Sequence, residues 1–308
     1  MANMKAIRIH EFGGPEVLQY EDVPRPEPAS GEVLVRVYAA GVNPVDWKMR
    51  QGGRERPLPM IPGWDLAGVV ESVGEGVTDW KKGDEVYSRP DISRDGSYAE
   101  YIAVRASEVA RKPKSVDYIN AAAIPLTSLT AWQSLFDVGG LRSGQKVLIH
   151  AAAGGVGHFA VQLAKWKGAY VIGTASEKNH EFLSSIGADK TIDYEKTRFE
   201  DVVHDVDMVF DTIGGETQER SWRTLNKGGI LVSIIRRPTE EEAARYGARQ
   251  GYVFVQPNGE ELTKIAELVD SGKVKPYVQT VLPLAEARRA QELSETRHTR
   301  GKIVLKVV

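Results

Sequence analysis

No cysteine occurs in the 308 residues, which removes disulfides, thiolate metal sites and cysteine nucleophiles together. No apolar run approaches the ~20 residues that a membrane-spanning helix needs. The opening MANMKAIRIHEFGG holds no apolar core followed by a cleavage site. The formal net charge is -2 and no long basic run appears, so a nucleic-acid surface is not favoured. Fixed-period repeats and low-complexity tracts are absent as well, which sets solenoids aside. The expectation left standing is a cytoplasmic enzyme or binding protein, acting on a small molecule, with no nucleic-acid and no membrane partner.

The residues that are present make up an ordinary globular composition, 42% hydrophobic and 27% charged. The length exceeds what one hydrophobic core usually serves, so two domains are expected. Two rhythms divide the chain. From Met4 to about Ala110, VLVRVYAAGV, AGVVESVG, DEVYSRP and GSYAEYIAV read as short strands between glycine and proline turns. From about Ala121 strands alternate with helices, and strands are expected at 146–151, 169–175, 190–194, 207–213, 229–234 and 251–255. Continuous apolar strands joined by helices imply a parallel sheet covered on both faces. The ending RGKIVLKVV returns to the first rhythm. The reading is an α/β protein, with a doubly wound Rossmann sheet over 121–255 inserted into a β-rich domain built from 1–120 and 256–308.

AAGGVG, residues 152–157, follows one of these strands and opens a helix. It is the G-x-G-x-x-G dinucleotide pattern with Ala152 in the first place. Gly154 lets the backbone approach a pyrophosphate, Gly155 and Val156 complete the turn, and Gly157 permits close helix–strand packing. The helix N-terminus beyond offers unpaired N–H groups to an anion. A merely structural turn is the alternative. The next strand ends in GTASEK, so Thr174, Ala175 and Ser176 stand where NAD sites carry a ribose-binding carboxylate. Ser176 and Lys178 suit a 2′-phosphate, which favours NADP(H), with Glu177 an opposing neighbour. Lys178 otherwise simply opens a helix on a solvated face.

These residues, with GVNPVDWKMRQG (41–52), IPGWDLAGVVESVGEGV (61–77), GDEVYSRP, IPLTSLTAWQSL (124–135) and RGKIVL, resemble the medium-chain dehydrogenase/reductase superfamily. More closely, they resemble its zinc-free quinone oxidoreductase and alkenal/enone reductase branch. The resemblance spans essentially the whole chain. It implies a GroES-like catalytic domain beside the Rossmann domain, an active site in the cleft between them, and a homodimer. The zinc-dependent alcohol dehydrogenases of that superfamily need a cysteine in the first loop and a Gly-His-Glu segment later. Here those places read Asn43 and Gly63-Trp64-Asp65, and the six histidines form no pair at ligand spacing. No catalytic metal is expected.

Without a metal, an enone or quinone is the easier hydride acceptor, since one positioned donor can stabilise the conjugated anion as it forms. The resemblance turns the loop NPVDWKMR toward nicotinamide and substrate, which nominates Lys48 as that donor; the alternative is a solvated lysine beside Arg50 and Arg54. Asn43 and Asp46 are expected to shape the loop, while Trp47, Trp64 and Tyr87 either wall the pocket or pack. The resemblance further implies Thr130 near the nicotinamide, Tyr194 over the adenine or at the 2′-phosphate, Ile213 along the nicotinamide trough, and Phe254 and Val255 closing its pocket. Arg236 and Arg237 either reach a phosphate or an acidic substrate group, or lace an exposed helix with glutamates; the helix is favoured. The functional expectation is NADPH-dependent hydride transfer to the double bond of an α,β-unsaturated carbonyl. Quinone reduction and a low-turnover NADPH-binding structural or regulatory protein are the alternatives.

Overall fold

The computed structural model describes residues 2–53 and 56–308. Two compact units divide the chain. One comprises the residues up to Leu126 together with Gln256–Gly272 and Pro276–Val308; the other comprises Thr127–Val255 and Lys273–Lys275.

The second unit is built on six strands: β1 (Lys146–Ile149), β2 (Tyr170–Ala175), β3 (Lys190–Asp193), β4 (Val206–Asp211), β5 (Leu225–Ser233) and β6 (Arg249–Tyr252). They lie in the order β3-β2-β1-β4-β5-β6, and every neighbouring pair is parallel. Val147, Leu148 and Ile149 are buried, as are Val209 and Phe210 beside them, which is what strands covered on both faces require. The helix Gly157–Trp166 follows β1, and His180–Ser185 follows β2. The order reverses between β1 and β4, the position where open α/β sheets leave a crevice outside the strands' carboxyl ends. Gln162 on the first helix clasps Lys275, accepting its N–H at 2.8 Å and donating to its carbonyl at 3.0 Å.

Every strand but β2 ends one to three residues before the sequence expectation, and two of these ends bear on the site. β6 stops at Tyr252 rather than 255 because its partner β5 stops at Ser233, the last rung being Ser233 opposite Tyr252. Phe254 and Val255 therefore follow the strand instead of ending it. β3 likewise ends at Asp193, leaving Tyr194 just beyond.

In the β-rich unit the strand Glu32–Val42 is the hub, pairing antiparallel with Leu66–Val73, Tyr101–Arg105 and Lys302–Lys306. Val33, Val35 and Val37 alternate inward and pack with Leu66, Val70 and Ile102 in one core. Ile303 sits opposite Val42, so residues 302–306 complete a sheet begun some 260 positions earlier. Among the described residues no helix is long and apolar enough to cross a membrane.

Candidate functional site

Because all six strands of the second unit run parallel, their carboxyl ends share one edge of the sheet. That edge gathers the glycine turn after β1, Ser176 after β2, Tyr194 after β3, Ile213 after β4, and Phe254 and Val255 after β6. Tyr194 is 54% exposed, Ile213 50% and Phe254 38%, so large side chains stand uncovered beyond three of these strands. Thr130 belongs to the same unit but is buried on the helix Pro125–Trp132.

The turn itself fits a dinucleotide. A Cβ on Gly157 would lie 2.3 Å from the Ala151 carbonyl oxygen, so only glycine lets the helix pack this closely on the strand exit. A Cβ on Gly154 would meet only that same oxygen, at 3.2 Å, with open space otherwise. The turn therefore has a closed side and an open side. No side chain caps the helix Gly157–Trp166; the His158 N–H is taken by the Gly154 carbonyl at 3.0 Å, and a helix start of this kind can receive an anion. His158 braces the turn from below, its ring Nδ1–H donating to the Gly154 carbonyl at 2.9 Å.

At the end of β2, Thr174 turns inward, its hydroxyl 3.1 Å from His150 Nδ1. The other ring nitrogen of His150 lies 2.8 Å from the Ser221 hydroxyl, and burial pushes its pKa down to about 4. Ser176 accepts from the Asn179 side chain at 3.2 Å. The carboxylate of Glu177 is engaged by Lys196, which offsets the one acidic charge beside Ser176 and Lys178. Arg236 pairs with Glu242 at 2.7 Å, and that pair with the Thr239 N–H holds the Glu242 carboxyl down to about 2. Arg237 lies over the Tyr252 ring. The two arginines are thus engaged around the short helix Glu240–Arg245.

Asp211 escaped the sequence reasoning. Fully buried at the end of β4, it accepts from the Ile213 and Gly214 N–H groups at 3.0 and 2.8 Å, and from Gln218 and Ser233 at 2.8 Å each. It fixes the loop bearing Ile213 to the end of β5. A carboxylate closing the apolar run DMVFD was the available signal.

In the β-rich unit, the helix Pro44–Arg50 carries Lys48. Pro44 sets its first turn, and the Asn43 N–H donates to Asp46 Oδ2 at 2.7 Å. The Tyr98 hydroxyl donates to the same oxygen at 2.8 Å. Asp46 Oδ1 is buried without a partner, and burial pushes the Asp46 carboxyl up to about 7. Arg50 anchors the far end through Gly13, Gln291 and Glu295. Asp46, Trp47, Met49 and Arg50 face inward; Lys48 is on the exposed side, 5.6 Å from the Trp47 ring. Its pKa is lowered, first by partial burial and then by the like charge of Arg297. Arg54, which the sequence set beside it, lies outside the described residues.

Two aromatic expectations need correction. Trp64 is completely buried, its indole N–H donating to the Arg94 carbonyl at 3.3 Å. Tyr87 is also completely buried, with its hydroxyl donating to the Leu262 carbonyl. Both have their polar ends satisfied inside the unit and pack as core; neither presents a wall to a ligand. Trp47 is nearly buried.

The positions where metal-bearing relatives need ligands hold a different arrangement. Asp65 Oδ1 accepts from the Leu126 N–H at 2.6 Å, and Oδ2 accepts from Asn43 Nδ2 at 2.8 Å and from Lys302 Nζ at 3.1 Å. Asn43 Oδ1 takes a second bond from Lys302. With Asp65 and Asn43 saturated by an internal cation, and Trp64 in the imidazole's place, these residues do not fit a catalytic zinc ion. Among the described residues no group of three or more His, Asp or Glu is placed to hold a metal.

Residues 29–114 match the family described as alcohol dehydrogenase GroES-like domain, and residues 186–305 match the one described as zinc-binding dehydrogenase. The NADPH-dependent alkenal/one oxidoreductase of Arabidopsis thaliana chloroplasts is 38% identical over 317 residues, covering 98% of this chain and 79% of that protein. The solved quinone oxidoreductase of Coxiella burnetii superposes with a TM-score of 0.93 at 37% identity over 100% of both chains. A mycobacterial protein solved with NADPH gives 0.91 at 32% identity, covering 99% of this chain and 100% of its own.

Proposed function

Since the chain belongs to the medium-chain dehydrogenase/reductase superfamily, we propose that it is an NADPH-dependent oxidoreductase that reduces the conjugated double bond of an α,β-unsaturated carbonyl. Support comes from relatives named alkenal/one and quinone oxidoreductases and from the two sets of residues above. Gly154, Gly155, Val156 and Gly157 would hold the pyrophosphate, with Tyr194, Ile213, Phe254 and Val255 covering the rest. Ser176 and Lys178 favour NADPH over NADH, since both can bind a 2′-phosphate and the adjoining Glu177 carboxylate is engaged by Lys196.

A bound nicotinamide would supply hydride to the β-carbon. The C=C pair would shift to the bond between the α-carbon and the carbonyl carbon, the carbonyl π pair would move onto oxygen, and a solvent proton at the α-carbon would restore the carbonyl. Lys48 serves the charge that develops on that oxygen. The observation carrying this assignment is a partly desolvated ammonium with no carboxylate within pairing distance among the described residues, on a helix fixed at both ends. Such a donor is stronger toward a developing oxyanion than one in water.

The test is anaerobic NADPH oxidation, chelator present, against 3-buten-2-one and 1,4-benzoquinone, with products identified by mass. The saturated ketone is expected, and Lys48→Ala should lower kcat/KM by about 10–100-fold, or ~1.4–2.7 kcal/mol. The protonated amine is the working form, so activity should fall as pH rises through a pKa below the usual lysine range, and this limb should vanish in Lys48→Ala. Turnover of quinone alone would move the assignment to quinone reduction. Tight NADPH binding with neither product would favour the binding-protein reading. A second copy of the chain pairing along the exposed edge at β6 would give the homodimer; sedimentation returning a monomer at micromolar concentration would end that idea.

A further inference from the structure

We infer that Lys302 is a positioning residue for this reaction, its buried ammonium fixing the start of the helix that carries Lys48. The inference rests on the enone-reductase reading above. Lys302 is 2% exposed, and an ammonium has three hydrogens to donate. Each has an acceptor: the Val42 carbonyl at 3.1 Å, Asn43 Oδ1, and Asp65 Oδ2 at 3.1 Å.

Asn43 is the relay. Its side-chain oxygen faces the ammonium, its amide nitrogen faces Asp65, and its backbone N–H closes onto Asp46. Every polar atom of that side chain is therefore assigned by the charges around it, and Pro44 follows directly as the first residue of the helix. Space is equally restricted. A Cβ on Gly41 would meet the Ala122 carbonyl at 2.4 Å and Asp65 Oδ2 at 2.8 Å, so only glycine leaves room for the carboxylate beside that strand.

A buried ion pair adds little net stability compared with apolar residues of the same shape. What this one supplies is a single orientation for the residue preceding the helix. Lys48 lies one turn and a half further on, and a donor displaced by about 1 Å loses much of its effect on a transition state. Lys302 touches no substrate in this account; it acts through Asn43 and the helix.

Lys302→Met alone strands Asp65 without its cation and is expected to lower Tm. The deciding variant is Lys302→Met with Asp65→Asn, which removes both charges together. In the full chain it should melt within a few degrees of the parent and bind NADPH with unchanged Kd. Amide exchange in the peptide spanning 43–50 should quicken at least tenfold. With 3-buten-2-one, kcat should drop at least tenfold while KM stays within threefold, and Lys302→Arg should recover part of kcat. Parental exchange rates and parental kcat in the double variant would overturn the inference. Should that variant fail to fold, Asn43→Ala removes the relay without touching a charge, and the same two readouts decide. Failure of the parent to reduce either acceptor would sink the proposed function, while the exchange measurement would still judge Lys302.

Discussion

At the sheet edge of the nucleotide unit, the glycine turn is shaped by backbone and by missing side chains, and exposed apolar groups wait at the strand ends. In the β-rich unit the helix Pro44–Arg50 is held by buried charge: Asp46, Asp65, Lys302 and Arg50 are all interior. The first arrangement suits a ligand recognised along its length, where room and N–H groups matter. The second suits one atom that must be in one place, where rigidity matters. The two should consequently fail differently when perturbed.

The largest divergence is expected with pH. His150, in the nucleotide unit, is held neutral by burial with a pKa of about 4 against an ordinary 6.5. As pH falls from 6.5 toward 4 the unfolded chain takes up the proton first, so stability is lost in that window, by on the order of 3 kcal/mol. Asp46, in the β-rich unit, works in the opposite sense. Its carboxyl is raised from 3.8 to about 7, so its contribution favours folding in acid and fades as pH climbs to 7. Amide exchange followed separately in the two units at pH 5 and pH 7 should show the nucleotide unit loosening in acid, and His150→Gln should flatten that response.

Next in size is Gly157→Ala. Its Cβ would press on backbone at 2.3 Å, costing about 1–3 kcal/mol and abolishing NADPH binding, as a thermal melt and a fluorescence titration would show together. Lys178→Ala should weaken NADPH about tenfold, ~1.4 kcal/mol, with NADH unchanged; equal losses for both would remove Lys178 from the phosphate site. The smallest effect belongs to Gly154→Ala. Its Cβ would meet one backbone oxygen at 3.2 Å, a contact relieved by a small shift, so Tm should fall less than in Gly157→Ala while the Kd for NADPH rises a few fold. A shift in Tm without one in Kd would reverse the open and closed sides of the turn.

The sequence carried the sheet and the glycine turn because both leave periodic or compositional marks: apolar runs at strand length, and AAGGVG between a strand and a helix. Family membership was legible from motifs in order along the chain. Strand ends at β1, β3, β4, β5 and β6 were placed too late, since pairing stops where the partner stops, and the partner is not a local property. For Trp64 and Tyr87 wall and core both stood open, because aromatic residues look alike in sequence whether they line a cavity or fill a core. The network of Lys302, Asn43 and Asp65 was invisible for a stronger reason. Lys302 lies 259 positions from Asn43 and 237 from Asp65, and nothing in RGKIVL says that the lysine points inward. A charge inside an apolar strand was the only hint, the same kind of hint that marked Asp211.

The bond from Lys302 to Asn43 closes a loop of 259 residues, and the segment Thr127–Val255 makes up about half of it. If that inserted segment collapses first, on contacts of its own, the remaining flexible loop is halved, which lightens the closure entropy by ~0.6 kcal/mol. The β-rich sheet cannot be completed until residues 302–306 reach the strand Glu32–Val42, whereas the six parallel strands all fall between Lys146 and Tyr252. In that order of folding, a chain caught midway would hold its glycine turn before its internal cation had found Asp65.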